Sequence, residues 1–327
     1  MKIKVLIFLL ILPFLFFTDA NAQGKVKIVV SVDWEGRDLK PDNLQAMKDF
    51  RRDYPEIPLQ HFLNAAYYTK QQANAAQITE SIKSVLLPKD EHGLHIHAWR
   101  TLVESSGVKF RTTPSMVREG MMIADCAIDC GQEIVLTGYT NAELRKIIAR
   151  SVEILKREGF NHPKSFRAGG WQADDNVLEA LAAEGFTLDS SATYAEFLKP
   201  SWEKYNLYGF VGKLWSETKP TSQPYIYKTS SGLKILELPN NSCLSDYMTG
   251  AAMLKVFQSN ALLLKNDPKK DVYLSIGFHQ ETATEYLPRL REAINLIRSD
   301  SKQNKIPIEF VVAPLNARNS QFAVRNW

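Results

Sequence analysis

The sequence predicts an α/β fold whose parallel strands close, or nearly close, into a barrel. Three observations lead there. Short β-rich runs alternate with amphipathic helical runs along most of the chain, the pattern of parallel strands joined by crossover helices. About seven or eight such units fall on roughly 300 residues, which fits a barrel better than an open sheet. Ionisable residues also gather where six of the expected strands end, and in a parallel barrel those ends meet at one mouth.

The elements follow in order. Residues 25–33 (KVKIVVSVD) read as a buried strand and 42–52 as a helix; 58–65 are a second strand and 74–87 a second helix. Residues 93–97 are the third strand. After a loop-rich insertion near 101–138 comes a long helix, 140–158, with Thr140 as N-cap three residues before Glu143, the spacing of a capping box. Strand 165–168, helix 174–184 and strand 187–189 follow. A second irregular stretch, 194–231, carries Pro200, Pro220 and Pro224 among several aromatic residues. Strands 233–238, 271–278 and 308–312 complete the set, with helices 249–265 and 285–298 between them.

Residues 1–22 read as a secretory signal. Lys2 and Lys4 give a positive start, an apolar run extends from Val5 to Phe17, and Ala20-Asn21-Ala22 has the form of a cleavage site. That run is shorter than the roughly 20 residues that span a bilayer, so export and cleavage are expected, with no lasting membrane anchor. The remaining chain, 23–327, is long enough for one large domain or two small ones and can bury a sizeable core. The formal charge is +4 for the whole chain, with both signs interspersed and no basic block, so nothing points to a nucleic-acid partner. Of the three cysteines, Cys126 and Cys130 are the nearer pair, and export permits a bridge between them.

The most informative stretch is 91–100, EHGLHIHAWR. His95 and His97 are two apart in an expected strand, so both imidazoles project from one face and can reach one point. Such a pair also occurs in strands where it only makes hydrogen bonds; the other strand ends decide. The first strand leads into Asp33-Trp34-Glu35-Gly36-Arg37, the strand at 165 into Arg167-Ala168-Gly169-Gly170-Trp171, and the next ends at Asp189. The strand at 233 gives Glu237 and the one at 271 gives His279-Gln280-Glu281.

The order of these motifs resembles the NodB-type polysaccharide deacetylases, carbohydrate esterase family 4, over roughly residues 26–313. Residues 31–36 (SVDWEG) are similar to that family's acidic first motif, 93–97 (GLHIH) to its histidine motif, 166–171 (FRAGGW) to its arginine-aromatic motif, and 278–281 (FHQE) to its late histidine motif. The resemblance implies a distorted (β/α)7-8 barrel and a divalent metal, usually zinc, held by Glu35, His95 and His97. It further implies Asp33 as the base acting on water, His279 as the general acid, and Arg167 as the partner that keeps Asp33 ionised. Two departures keep alternatives open. The family's adjacent aspartates are split here by Trp34, so Asp33 and Glu35 can exchange roles. Its paired histidines stand four apart, whereas here Trp99 occupies that position and His97 stands two after His95.

Trp34, Trp99 and Trp171 sit inside the motifs, where their faces either stack on sugar rings or merely cover the barrel mouth. Glu237 either closes the pocket or ends a strand. His61, His92 and His162 read as surface or loop residues without a role. The expected function is an exported deacetylase acting on an acetylated glycan. Two further readings stand beside it: a glycan-binding protein on the same fold without chemistry, and a hydrolase of a carbon–nitrogen bond in a small non-sugar amide.

Overall fold

The structure is a computed structural model that describes residues 23–123, 126–313 and 322–326. The expected signal segment lies outside the described residues. In chain order the strands are β1 (Val26–Asp33), β2 (Leu59–Leu63), β3 (Glu91–Ile96), β4 (Ser165–Ala168), β5 (Leu188–Asp189), β6 (Tyr225–Lys228), β7 (Lys234–Glu237), β8 (Val272–His279), β9 (Ile308–Phe310) and β10 (Ala323–Asn326). The helices are α1 (Pro41–Asp53), α2 (Ala75–Lys83), α3 (Arg100–Ser105), α4 (Asn141–Arg157), α5 (Asp175–Ala183), α6 (Lys199–Trp202), α7 (Asn206–Leu214), α8 (Gly250–Asn266) and α9 (Ala283–Asn304).

The sheet runs β10-β6-β7-β5-β4-β3-β2-β1-β8, with β9 beside the start of β1. Every pairing is parallel except β6 with β7. The sheet curls into the distorted α/β barrel that the sequence led us to expect. β1 is its axis. Buried along nearly its whole length, it pairs with β8 over all eight residues and with β2 over its last four, and this brings Asp33 level with His279 and Phe62.

Helices cover the outside for the reasons their sequences give. Helix α4 begins with the full reciprocal capping box between Thr140 and Glu143, and its buried residues, from Leu144 through Ile147, Ile148 and Ser151 to Leu155, recur every three or four positions. Helix α1 starts at Pro41, which fits a first helical position, and buries Leu44, Met47 and Phe50.

Both expected insertions contain more order than their composition indicated. The first includes α3 and a disulfide between Cys126 and Cys130. The second, 194–231, holds α6, α7 and the antiparallel strand β6. It packs on the first: Asn206 Nδ2 donates to the carbonyls of Ser115 (3.1 Å) and Val117 (2.7 Å), and Leu207 N donates to Met116 O at 3.0 Å.

Between β7 and β8 the barrel closes without a continuous backbone ladder. Two side-chain amides stand in for the missing strand. Asn241 donates to Tyr273 O at 2.9 Å and accepts from Ser275 N at 2.9 Å, while Gln223 accepts from Tyr273 N at 2.7 Å. Further along, Ser242 N reaches Ser275 O and Ser245 N reaches Gly277 O, so residues 240–245 finish the seam. Among the described residues, no helix is long and apolar enough to cross a membrane.

Candidate functional site

The C-terminal ends of β1, β3, β4 and β8 bring the expected residues to one mouth. His95 is on β3 and His97 follows just past its end at Ile96, still projecting the same way, and their ring centroids lie 5.0 Å apart. Glu35 follows β1, with Gly36 at φ 79°, and a Cβ there would come within 2.8 Å of the Asn64 side chain. The left-handed turn packed against Asn64 therefore needs glycine. One ligand atom each from Glu35, His95 and His97 falls within 4.8 Å of the others, and all three residues are buried.

The hydrogen bonds determine what these atoms offer. His95 Nδ1 lies 2.8 Å from Arg167 O, and His97 Nδ1 lies 2.6 Å from Gln132 O. A carbonyl oxygen can only accept, so both rings carry their proton on Nδ1 and, when neutral, present an Nε2 lone pair. Those lone pairs face Glu35: His95 Nε2 is 3.2 Å from Oε1, and His97 Nε2 is 2.8 Å from Oε2 in a direction that makes no hydrogen bond. Two lone pairs and a carboxylate converging in this space can hold a cation among them. The donor set of two imidazoles and one carboxylate suits a divalent transition metal. Without one, protons take its place. Burial alone would raise the Glu35 carboxyl, yet His97 and His279 beside it hold it well below the usual range; burial alone would lower His97, yet Glu35 raises it.

The surroundings lock the three residues in place. Gln132 Nε2 donates to Glu35 Oε2 at 2.7 Å, and Trp99 Nε1 donates to Glu35 O at 2.8 Å. Glu281 accepts from the backbone N–H groups of Glu35 (3.1 Å) and Arg37 (3.3 Å) and clasps the loop that carries the carboxylate. Burial, and then the Glu35 charge, push the Glu281 carboxyl up to about 7. Gly169 lies against His97, where a Cβ would come within 2.6 Å of the ring.

Beneath this cluster, Arg167 is buried and fully engaged. Its Nη1 donates to Asp33 Oδ1 at 2.8 Å and to Ser31 Oγ at 2.8 Å, Nε and Nη2 donate to Ser190, and the guanidinium lies 4.5 Å from the Phe62 ring centroid. The charge-assisted bond between Arg167 and Asp33 expected from the motifs is thus present. On the far side, His279 Nε2 is 3.4 Å from Glu35 Oε1 and its Nδ1 is 3.0 Å from Asp246 Oδ1. Burial would lower this histidine, but Asp246 and then Glu35 raise it to about 10. A cavity of about 510 Å³ opens above, with Glu35, His97, His279, Asp246 and Trp171 on its surface.

Two members of this site are not legible in the motifs. Asp246 lies in the crossover between β7 and α8, and Gln132 lies in the first insertion. Their only signal is polarity in otherwise apolar or loop-like surroundings.

Three expected substrate contacts need correction. Trp34 is fully buried on the opposite side from its neighbours, where alternation turns it into the core to donate to His61 Nδ1 at 3.2 Å. Trp99 is fully buried under the Glu35 loop, with Lys70 Nζ 3.9 Å from its ring centroid. Of the three tryptophans, Trp171 alone is on the cavity surface. His61 is likewise not a surface residue: it is buried in β2 between Trp34 and Asp90, with its Nε2 3.4 Å from an Asp90 carboxylate oxygen.

Glu237 also lies in the barrel interior and not in the cavity. It is the register partner of Asp189 across β5 and β7, and its Oε1 accepts from Ala192 N at 2.9 Å. Burial and the neighbouring Asp189 push its carboxyl well above the ordinary range, and burial raises Asp189 as well. An acid raised in the folded state holds a proton that the unfolded chain releases. That stability is complete below the unfolded value near 4.5 and is lost as pH rises through the folded one. Replacing Glu237 with glutamine should therefore make the variant progressively more stable than the parent as pH rises above about 5, by on the order of 1 kcal/mol per pH unit at most. Urea denaturation at three pH values checks this; parallel pH curves would contradict it.

No family model and no curated protein matches the chain. Among solved structures, 4-alpha-glucanotransferase from Thermococcus litoralis aligns with a TM-score of 0.50 at 10% identity, covering 93% of this chain and 42% of that one. A putative polysaccharide deacetylase from Mycobacterium smegmatis aligns with a TM-score of 0.46 at 13% identity, covering 89% of this chain and 95% of that one. A family 4 carbohydrate esterase from Streptomyces lividans, solved with acetate, gives 0.40 at 12%, covering 87% and 91%. At these identities the likeness concerns the fold.

Proposed function

We propose that the chain is an exported, metal-dependent hydrolase that removes acyl groups, acetyl included, from a glycan. The observation that carries this reading is the convergence of the His95 and His97 Nε2 lone pairs on the Glu35 carboxylate, at the floor of a cavity that also holds His279. The two histidines stand two apart at the end of β3 and still meet one carboxylate, which supports retention of the metal site despite its departure from the family spacing. Zinc is one ion that such a donor set takes.

In this reading Glu35, His95 and His97 would hold the ion, which when bound would supply Lewis acidity. Asp33, fixed by Arg167, accepts the proton that the water loses as it attacks. His279, kept protonated by Asp246, gives a proton to the departing amine or alcohol. Trp99 and Glu281 keep the Glu35 loop still while this happens. Export is proposed on the sequence pattern of residues 1–22.

The decisive experiment is elemental analysis of purified residues 23–327 beside a His95→Ala, His97→Ala variant. About one zinc or similar ion per chain is expected in the parent, with loss of the ion and of acetate release from acetylated glycans in the variant. Absence of metal from the parent after zinc is supplied would overturn the hydrolytic reading.

A further inference from the structure

The cavity has two walls of different chemistry, and Glu35 marks the line between them. Its Oε2 faces His97 and Gln132, and Gln132 belongs to the first insertion, whose Met116, Met121, Met122 and Ile123 line the cavity on that side. Backbone bonds tie this wall to the residue beside Gln132: Met116 N donates to Glu133 O at 2.7 Å, and Ile123 N donates to the Glu133 carboxylate at 3.4 Å. Among the described residues, none from the first insertion that lines the cavity is charged. Met121 and Met122 are 43% and 59% exposed, an uncommon outlay of large apolar surface beside a charged centre. Glu35 Oε1, 3.2 Å from His95 Nε2, also lies 3.4 Å from His279 Nε2. There Tyr247 stands edge-on to His279 at 6.1 Å between centroids, and Trp171 stands edge-on to Tyr247 at 5.7 Å.

We propose that the methionine wall is an acyl subsite, and that the preferred substrate is a saccharide carrying an acyl group of several carbons, longer than acetyl. The inference rests on the hydrolase reading above. Hydrolysis breaks the bond between the acyl carbon and the sugar nitrogen or oxygen; the water oxygen joins the acyl carbon as a carboxylic acid, and a proton goes to the leaving group. The leaving group takes that proton from His279 and therefore lies on its side of Glu35, against aromatic faces that suit a sugar ring. The acyl carbon then points across Glu35 to the methionines, whose flexible, unbranched side chains conform to a hydrocarbon chain.

The test uses the metal-loaded protein and a series of N-acylglucosamines from acetyl through butyryl and hexanoyl to octanoyl, with amine release as one readout. Binding followed by tryptophan fluorescence is the second, because Trp171 and Trp202 line the cavity. Each buried methylene should raise kcat/KM about fourfold, giving a hexanoyl-to-acetyl ratio on the order of a hundred. In the Met121→Asp, Met122→Asp double variant that ratio should fall below about ten, since carboxylates on the wall oppose burial of an alkyl chain. A flat or falling series on an active enzyme overturns the acyl subsite and leaves hydrolysis standing. If no member is hydrolysed, the hydrolase reading fails on its own, and binding decides: tighter binding of hexanoyl than of acetyl retains the subsite, while equal binding overturns it.

Discussion

Replacing Asp33 with asparagine is expected to lower kcat for acyl release by about 10²- to 10⁴-fold, the range that a positioned general base contributes. The substitution keeps the shape of the side chain and leaves an oxygen for Arg167 Nη1 to donate to, while removing the capacity to accept a proton. Bound metal should stay near the parent level, because Glu35, His95 and His97 form the cluster without Asp33. His279→Ala should cost a comparable factor for the opposite reason, since it removes the group that protonates the leaving amine. Steady-state kinetics with metal analysis on the same samples separates the assignments. If Asp33→Asn loses its metal while Glu35→Gln retains it, the two carboxylates have exchanged roles.

The largest loss of stability is expected at Arg167. Its side chain is buried, and its donors serve Asp33, Ser31 and Ser190 in the barrel interior. Arg167→Met fills much of the space but leaves the Asp33 carboxylate buried without its partner, and breaking such a pair from one side costs about 3–5 kcal/mol. The double variant Asp33→Asn, Arg167→Met should recover part of that loss, because no unpaired charge remains. Urea denaturation of the two single variants and the double variant measures this; a double variant no more stable than Arg167→Met would mean that the arginine acts through Ser190 and Ser31 and not through the charge pair.

Much of this architecture is legible in the sequence because the chemistry sits on regular elements. The period of two along β3 places His95 and His97 together, and strand ends rich in ionisable residues mark the mouth. The same alternation takes Trp34 away from the mouth: a residue between Asp33 and Glu35 turns the other way, into the core beside His61. Composition concealed α6, α7 and β6, since prolines and aromatic residues in 194–231 mask periods too short to stand out. Asp246 and Gln132 leave no local signature. Each acquires its place through a contact between residues far apart in the chain, 33 positions for Asp246 with His279 and 97 for Gln132 with Glu35.

The seam between β7 and β8 divides a single strand into two sets of amides. The N–H groups of Tyr273 and Ser275 are held by the side chains of Gln223 and Asn241, whereas Val272 N, on the opposite edge, is held by the backbone carbonyl of Lys25. A solvent deuteron reaches the first set when one side chain rotates, but it reaches the second only when β8 parts from the first strand of the barrel. Exchange protection along β8 should therefore alternate residue by residue. In this barrel, the slowest and the more readily opened protons are nearest neighbours in sequence.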